Sequence, residues 1–513
     1  MQPRVLARDA PRDGRRRDAG NRPGEGSFLN KKDFPRVHFY DQDFVEIYDR
    51  TWAWVGDCWT SGGAGSGFDK IKFFHYPQKP MLDVMEQVFS SFFLVYSNRI
   101  YAASNGLDAL YGLQEADGAI RSSYDIETGK PILDPDNPDG LILPIFAWAE
   151  YNLYHKTANK KRVKDVMPAL RKHYKWLESN YKNANGLYEA PIAASGMPNS
   201  PREGARFLID FNAAMAMNAL YISALGDILN DKDISFQFKR DYFSLKTRIN
   251  GKMWNADDGF YYDLDAAENQ VRVKTIGTYW LLLAEIPNED RAEKLVAKLK
   301  DPACFGTENP FPTLSADHPA YDKKGNGYRG SVITAFSFMV IKGLEKYNFY
   351  EFARDCAIRH LYFILDSMHA NGEHGEHGEG HQKDHKPVVW GAYQPQAEGK
   401  ASWDGHPDWP YPDYLPFNGL ASVTLMIENI VGLYSSLPRK TVDWIIPNLE
   451  IMGIENLSLK RNMVTILSSK SGRGWEIHME SEKLYYFTIN VLNKKKKTLP
   501  IPSGKCSMLI DKI

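Results

Sequence analysis

In the stretch from Trp390 to Tyr414, WGAYQPQAEGKASWDGHPDWPYPDY, the carboxylates Glu398, Asp404, Asp408 and Asp413 alternate with Trp390, Tyr393, Trp403, Trp409 and Tyr411. Ring faces stack on the C–H surfaces of a sugar while acids bind its hydroxyls, so a Gly- and Pro-rich loop of this composition suits a carbohydrate site. An ordinary folded loop with buried rings is the competing reading. Inverting hydrolysis of a glycosidic bond needs two carboxyl groups about 6.5–9.5 Å apart, one protonated for the leaving group and one ionised to activate water. In this loop Asp404 and Glu398 are the base candidates.

A second group surrounds SGMPNSPR, Ser195 to Arg202. Glu189 lies on the segment that enters it, Glu203 directly follows Arg202, and Asp210 opens the next helical run. Glu203 and Glu189 are candidate proton donors, each with a surface or supporting role as its plain alternative. Asp210 could serve the same chemistry or only cap a helix. Arg202 can fork onto a sugar hydroxyl pair, or pair with Asp210. Tyr328 and Arg329 form a third group, an Arg there suiting an acidic sugar unless it faces solvent, and Arg121 has a weaker claim of the same kind. The tract from Met368 to Pro387 holds His369, His374, His377, His381 and His385 with Glu373, Glu376 and Glu379. Such side chains bind Zn, Ni or Cu, but the interspersed glycines oppose the rigid support a catalytic metal requires. The tract reads as a mobile lid, and no metal or other cofactor is expected.

These residues need a scaffold. From about Asp41 to Leu433, segments such as MLDVMEQVFSSFFLVYSNRIY, VMPALRKHYKWLESNY and SVITAFSFMVIKGLEKY carry apolar residues at i, i+3, i+4 and i+7, separated by Gly-, Asp- and Pro-rich turns. The absence of a fixed repeat disfavours an open solenoid and favours a closed ring of helix pairs whose loops build a pocket. After Leu433, NLSLKRNMVTILSS, WEIHMESE and KLYYFTINVLN read as short strands, and the run Lys494 to Lys497 as a solvated hairpin turn. The expected division is a disordered leader at 1–30, a helical domain at 31–435 and a small β domain at 436–513.

Lys and Arg total 63 against 64 Asp and Glu, so no electrostatic footprint for nucleic acid or an anionic membrane exists, and a neutral carbohydrate is the expected partner. Cys58, Cys304, Cys356 and Cys506 are widely spaced and read as free thiols. No apolar run approaches the roughly 20 residues of a membrane-spanning helix. The Arg-, Asp- and Gly-rich N-terminus encodes no export signal, so the chain as written reads as cytoplasmic, with export open should the native N-terminus differ. Nothing in the sequence sets the oligomeric state.

The order of motifs resembles the mannosylglycerate-hydrolase-like glycoside hydrolases, six-hairpin relatives of trehalases and processing α-glucosidases. It is carried by NGLDALYGLQEADGAI, SGMPNSPR followed by Asp210, MWNADDGFYYD, KTIGTYW, FPTLSADHPAYD, VVWGAYQP and GLASVTLMIENIVGL, and near the end by Trp444 and GIENLSL. It implies an (α/α)6 barrel with a small C-terminal β-sandwich-like domain and an inverting, exo-acting hydrolase of a small oligosaccharide or glycoside. In that family the acid is the Asp of Ser-Gly-Met-Asp-Asn and the base the Glu of Trp-Glu-x-Tyr-x-Pro. This chain has Pro198 and Gly391 there, and the resemblance also puts Phe89-Ser90-Ser91, Phe93 and Gly327 to Ile333 at altered pocket positions. Asp413 matches a position close to the last helix and reads as structural. Hydrolysis therefore requires relocated carboxylates, drawn from Glu189, Glu203, Asp210, Glu398 and Asp404 and facing one another across the pocket. The alternatives are a sugar lyase using Tyr328, Arg329, Arg202 and His406, or a carbohydrate-binding homologue without catalysis.

Overall fold

The computed structural model describes residues 34–369, 387–446, 451–459, 462–471, 474–491, 495–501 and 503–511. The leader and the greater part of the His-rich tract, with the lid assigned to it, lie outside these residues.

Two kinds of helix alternate along the chain. Gln42–Asp57, Lys160–Tyr181, Lys232–Lys252 and Glu289–Lys300 bury one face and carry charge on the other. Val84–Leu94, Trp280–Leu283 and the π-helix Leu420–Ile430 are buried on every side, and Phe146–Thr157, Ile209–Leu229 and Thr334–Lys346 are largely so. An all-round apolar surface requires protein on all sides. The buried helices supply it to one another: Val84–Leu94 packs on Phe146–Thr157, that on Ile209–Leu229, then Trp280–Leu283, Thr334–Lys346 and Leu420–Ile430, which returns to Val84–Leu94. Phe89 lies among them, its ring against Trp148, Trp280, Phe338 and Phe417. Leu420–Ile430 follows Gly419, where a Cβ would meet the Phe93 ring at 2.7 Å, so only glycine allows this approach.

Phe89, Ser90, Ser91 and Phe93 are all buried in this packing. The helical run there begins later than the periodicity predicts: Met81–Asp83 is a short strand paired with Ser123–Asp125, and Asp83 caps the helix by accepting the Glu86 N–H at 3.0 Å.

The C-terminal region is built of strands. A five-stranded sheet runs Arg36–His38, Met452–Leu459, Asn462–Ser471, Gly474–Ser481 and Gly504–Asp511, so a strand from near the N-terminus forms one edge. The second sheet orders Leu433–Ser436, Thr441–Ile446, Tyr485–Val491 and Lys495–Ile501, with the middle pair parallel. Lys495, Lys496 and Lys497 therefore lie on a strand and not in a turn, paired with Val491, Asn490 and Ile489. A buried ionic network joins this sheet to the helices: Glu428 accepts from Lys342 at 2.6 Å and Lys156 at 2.7 Å, while Glu345 takes Lys342 at 2.9 Å and the Tyr434 hydroxyl at 3.0 Å. Cys58, Cys304 and Cys356 are buried free thiols and Cys506 is a half-buried one. No helix among the described residues is long and apolar enough to cross a membrane.

Candidate functional site

Three loops converge on Asn199, the residue after Pro198. Its carboxamide oxygen accepts the Tyr328 N–H at 2.7 Å, its amide nitrogen donates to the Asn326 carbonyl at 3.4 Å, and its own carbonyl takes the Arg329 Nε–H at 3.2 Å. Gly327, at φ +56°, leaves the space the Asn199 side chain fills. Asn326 in turn donates to Asp404 at 2.6 Å, and Gly327 donates to the Ser402 carbonyl at 2.6 Å. These bonds hold the Tyr328 ring edge-on to Trp403, centroids 5.6 Å apart, and 6.2 Å from Trp409.

Gly391, the other position of interest, bonds to the Tyr411 carbonyl at 3.0 Å, and a Cβ on it would lie 3.4 Å from the Tyr414 ring. Tyr414 donates its hydroxyl to Glu86 Oε1 at 2.6 Å. Lys79 Nζ reaches the same oxygen at 2.5 Å and lies 5.2 and 5.5 Å from the Tyr411 and Tyr414 ring centroids. Glu86 is 1% exposed, and its Oε2 has no hydrogen-bond partner among the described residues. Beside it, Asp83 is half-buried and accepts the Glu86 N–H at 3.0 Å. The Asn199 side is close by, since the methyl of Met85 approaches the Gly196 position at 3.9 Å. The side chains around positions 198 and 391 thus form one cluster, in which Tyr328 senses the charges of Lys79, Asp83 and Tyr411 and has Trp403 and Trp409 against its ring.

Burial pushes the Asp83 carboxyl up to about 6; Lys79 opposes the shift, and the Glu86 charge adds to it. Burial alone would lower the Lys79 ammonium, but Glu86 and Asp83 outweigh it and hold it above its usual range. Burial pushes the Tyr328 phenol up to about 12, with Lys79 opposing the shift and Asp83 and Tyr411 adding to it. Burial likewise raises Tyr76, which donates to the Pro412 carbonyl, and lowers His75 to about 4.

The residues singled out from sequence do not assemble as expected. Arg202 is fully buried and forks both ways, Nε and Nη2 to Asp263 at 2.7 and 2.8 Å, Nη1 and Nη2 to Asp210 at 2.7 and 3.2 Å. The ion-pair alternative is the one present, and neither Arg202 nor Asp210 is available to a sugar, because both are enclosed and mutually engaged. Glu189 pairs with Arg206 at 2.6 Å and Asn183 at 3.0 Å. Glu203, Glu398 and Asp404 are exposed, Asp404 accepting from Asn326. No hydrogen bond or ion pair is seen between any two of these five carboxylates among the described residues. Arg121 is forked by Glu115 at 2.7 and 2.8 Å and lies 5.3 Å from the Trp176 ring centroid. Tyr393 is buried and bonded to Asn418 at 2.9 Å, while Trp390 is half-buried with Lys400 over its ring at 4.8 Å. Of the substrate-binding candidates, Tyr328 and Trp403 belong to the aromatic cluster, with Arg329 next to Tyr328 on the Asn199 carbonyl. His406 stacks on Trp403, centroids 3.9 Å apart. A separate depression on the outer helices, lined by Asp117, Arg171, Tyr174 and Phe238, contains none of these residues.

Sequence reasoning missed Lys79, Asp83, Glu86 and Tyr414. The signal was present as Asp-x-x-Glu ahead of an apolar run, which reads as helix capping and satisfies that reading locally.

Comparison with known proteins bears on this site. Residues 134–395, about half of the chain, match the family model described as mannosylglycerate hydrolase MGH1-like glycoside hydrolase domain. This chain belongs to that glycoside hydrolase family. Residues 432–513 match the trehalase C-terminal domain. An uncharacterized protein of Borreliella burgdorferi is 50% identical over 487 residues, covering 94% of this chain and 100% of its own length. Mannosylglycerate hydrolase of Rubrobacter radiotolerans is 24% identical over 160 residues, 29% of this chain and 34% of that protein. Among solved structures, the family 63 mannosylglycerate hydrolase of Thermus thermophilus in complex with glucose shares the fold, with a TM-score of 0.57 at 16% identity over 74% of this chain and 99% of that one.

Proposed function

We propose that this member of the family is an inverting, exo-acting hydrolase of a small glycoside, with relocated carboxylates in the cluster around Pro198 and Gly391. Asp83 is the proton donor. The observation that carries this reading is Asp83 itself, a carboxyl encased in protein beside the aromatic cluster of Tyr328, Tyr411 and Tyr414 and pushed up to about 6 by burial. Its proton passes to the glycosidic oxygen as the C1–O bond breaks; water supplies the hydroxyl to C1, and the water proton goes to a second carboxylate. Asp413, whose charge reaches Tyr76 together with that of Glu86, is assigned this base role. Closure of the buried helices upon one another supports an (α/α)6 barrel, and the two sheets support a β-sandwich-like domain that takes in Arg36–His38 and Leu433–Ser436 from the helical side of the expected division at 435.

The test is a panel of trehalose, mannosylglycerate and aryl glycosides of both anomers, followed by proton NMR of the first-formed anomer. Hydrolysis with inversion that is lost in Asp83→Asn and Asp413→Asn supports the assignment. Binding of a panel sugar without cleavage by the wild-type protein moves the conclusion to a carbohydrate-binding homologue, and an unsaturated product absorbing in the ultraviolet moves it to a lyase.

A further inference from the structure

Two outer helices carry a charge that the balanced total conceals. Lys160–Tyr181 has seven Lys or Arg against Asp165 and Glu178, and Lys232–Lys252 has six against Asp233 and Asp241. Together they hold a formal excess of nine positive charges in a chain whose net charge is −1. Gln42–Asp57, which also buries one face only, has four acids against Arg50 alone. The excess is therefore local, and attraction acts where the charges stand, not on their sum over the chain. Some of it is spent within the fold: Arg162 bonds to Glu150 and Asp108, and Lys161 pairs with Asp165. Arg171, Lys239 and Arg240 are exposed and form no ion pair among the described residues.

The two helices meet at Tyr174 and Phe238, whose rings are edge-on with centroids 5.0 Å apart. A cavity of about 380 Å³ lies there, lined by Pro168, Arg171, Lys172, Lys175, Gln237 and Phe238. Asp117 and Glu178 also border it, and Glu178 is taken by Lys175 at 3.3 Å and Lys182 at 2.9 Å. On the outward face of Lys232–Lys252 stand Phe236, 67% exposed, and Phe243, 52% exposed. Seven residues apart, they share a face about 10 Å from each other along the axis, with Lys239 and Arg240 between them. Leaving two Phe rings in water forfeits their transfer free energy, and the packing of this helix does not require it, since Phe238, Tyr242 and Leu245 form its buried side. A helix that presents apolar rings and cations together lies in the plane of a bilayer interface. We propose that this face docks the protein on an anionic phospholipid membrane. Phe236 and Phe243 enter the interface, Lys239 and Arg240 meet lipid phosphates, and the cavity with Arg171, Lys172 and Lys175 takes one phosphodiester headgroup. Rings that stand clear of the surface suit a soft phase better than a rigid partner, and the local charge complements anionic headgroups. Docking of this kind does not depend on the hydrolase reading.

The experiment is flotation of the full-length protein with vesicles of phosphatidylcholine alone and of equal parts phosphatidylcholine and phosphatidylglycerol. The wild-type protein binds the mixed vesicles at least about tenfold more tightly than the neutral ones, and about 1 M salt, where the screening length falls to about 3 Å, releases it. Lys239→Gln with Arg240→Gln, and separately Phe236→Ser with Phe243→Ser, each weaken binding about tenfold. All four side chains are exposed, so Tm stays as in the wild type. Should either pair lower Tm, Arg171→Gln on the other helix carries the test, with binding weakened about threefold. No flotation, equal binding to both vesicles, or binding that the Phe variant leaves unchanged overturns the proposal. So does retention on an acidic polysaccharide or on DNA while vesicles go unbound, and so does a concentration-dependent dimer in sedimentation that the Phe variant dissolves while vesicles go unbound.

Discussion

Replacing Arg202 separates a framework role from a sugar-contacting one. The guanidinium is fully buried and holds two carboxylates that are themselves enclosed, Asp210 at 2.7 Å and Asp263 at 2.7 Å, and Asp263 also accepts the Ile209 N–H at 2.7 Å. Arg202→Met leaves two buried acids without a counter-charge, and breaking a buried pair in this way costs about 3–5 kcal/mol. Burial already raises the Asp210 carboxyl in the intact protein, with Arg202 opposing, so removing the arginine raises it further. An acid whose folded pKa lies above its unfolded value is destabilising where it must ionise, and that cost fades as pH falls through the folded value. The expected outcome is a loss of about 3–5 kcal/mol in urea unfolding at pH 7 that shrinks toward pH 5, with KM for any cleaved glycoside changed less than twofold at a temperature where the variant is folded. A loss below about 1 kcal/mol at pH 7, or a tenfold rise in KM without destabilisation, refutes the framework assignment.

Other perturbations follow from the same geometry. Hydrolysis dependent on protonated Asp83 is retained below about pH 6 and lost above it, a limb that a pH profile of kcat/KM reads directly and that Asp83→Asn removes with the activity. Glu428→Gln leaves Lys156 buried without a counter-charge and Lys342 with Glu345 alone, and costs about 3–5 kcal/mol by urea titration; because those lysines hold the Glu428 carboxyl far below its usual range, the stabilisation it supplies is present at neutral pH and lost in strong acid. Gly419→Ala drives a methyl into the Phe93 ring and lowers stability by about 1–3 kcal/mol, seen as a lower Tm. Trp403→Ala removes a ring of the aromatic cluster, and isothermal titration with a bound sugar should show affinity weakened about tenfold while unfolding stays within about 0.5 kcal/mol of wild type.

The run of helices from about Asp41 to Leu433 was readable in the chain because apolar spacing is a local property, and the change to strands after Leu433 was readable for the same reason. The ordered motifs also identified the family. The same locality explains what sequence could not supply. Arg202 and Asp210 carry the residue types of a sugar site, and only the approach of Asp263, more than fifty residues on, shows that their hydrogen bonds are already used. Asp83 and Glu86 look like helix capping when read alone. They become a candidate site because Tyr328 and Tyr414 arrive from distant segments and bury them together with Lys79.

By itself, then, the sequence determined the succession of helices and strands and the family. Tertiary structure alone decided which carboxylates are buried with a partner and which are buried without one. Desolvation and charge proximity, which set the protonation of an acid, depend on distances across the fold that no spacing along the chain encodes.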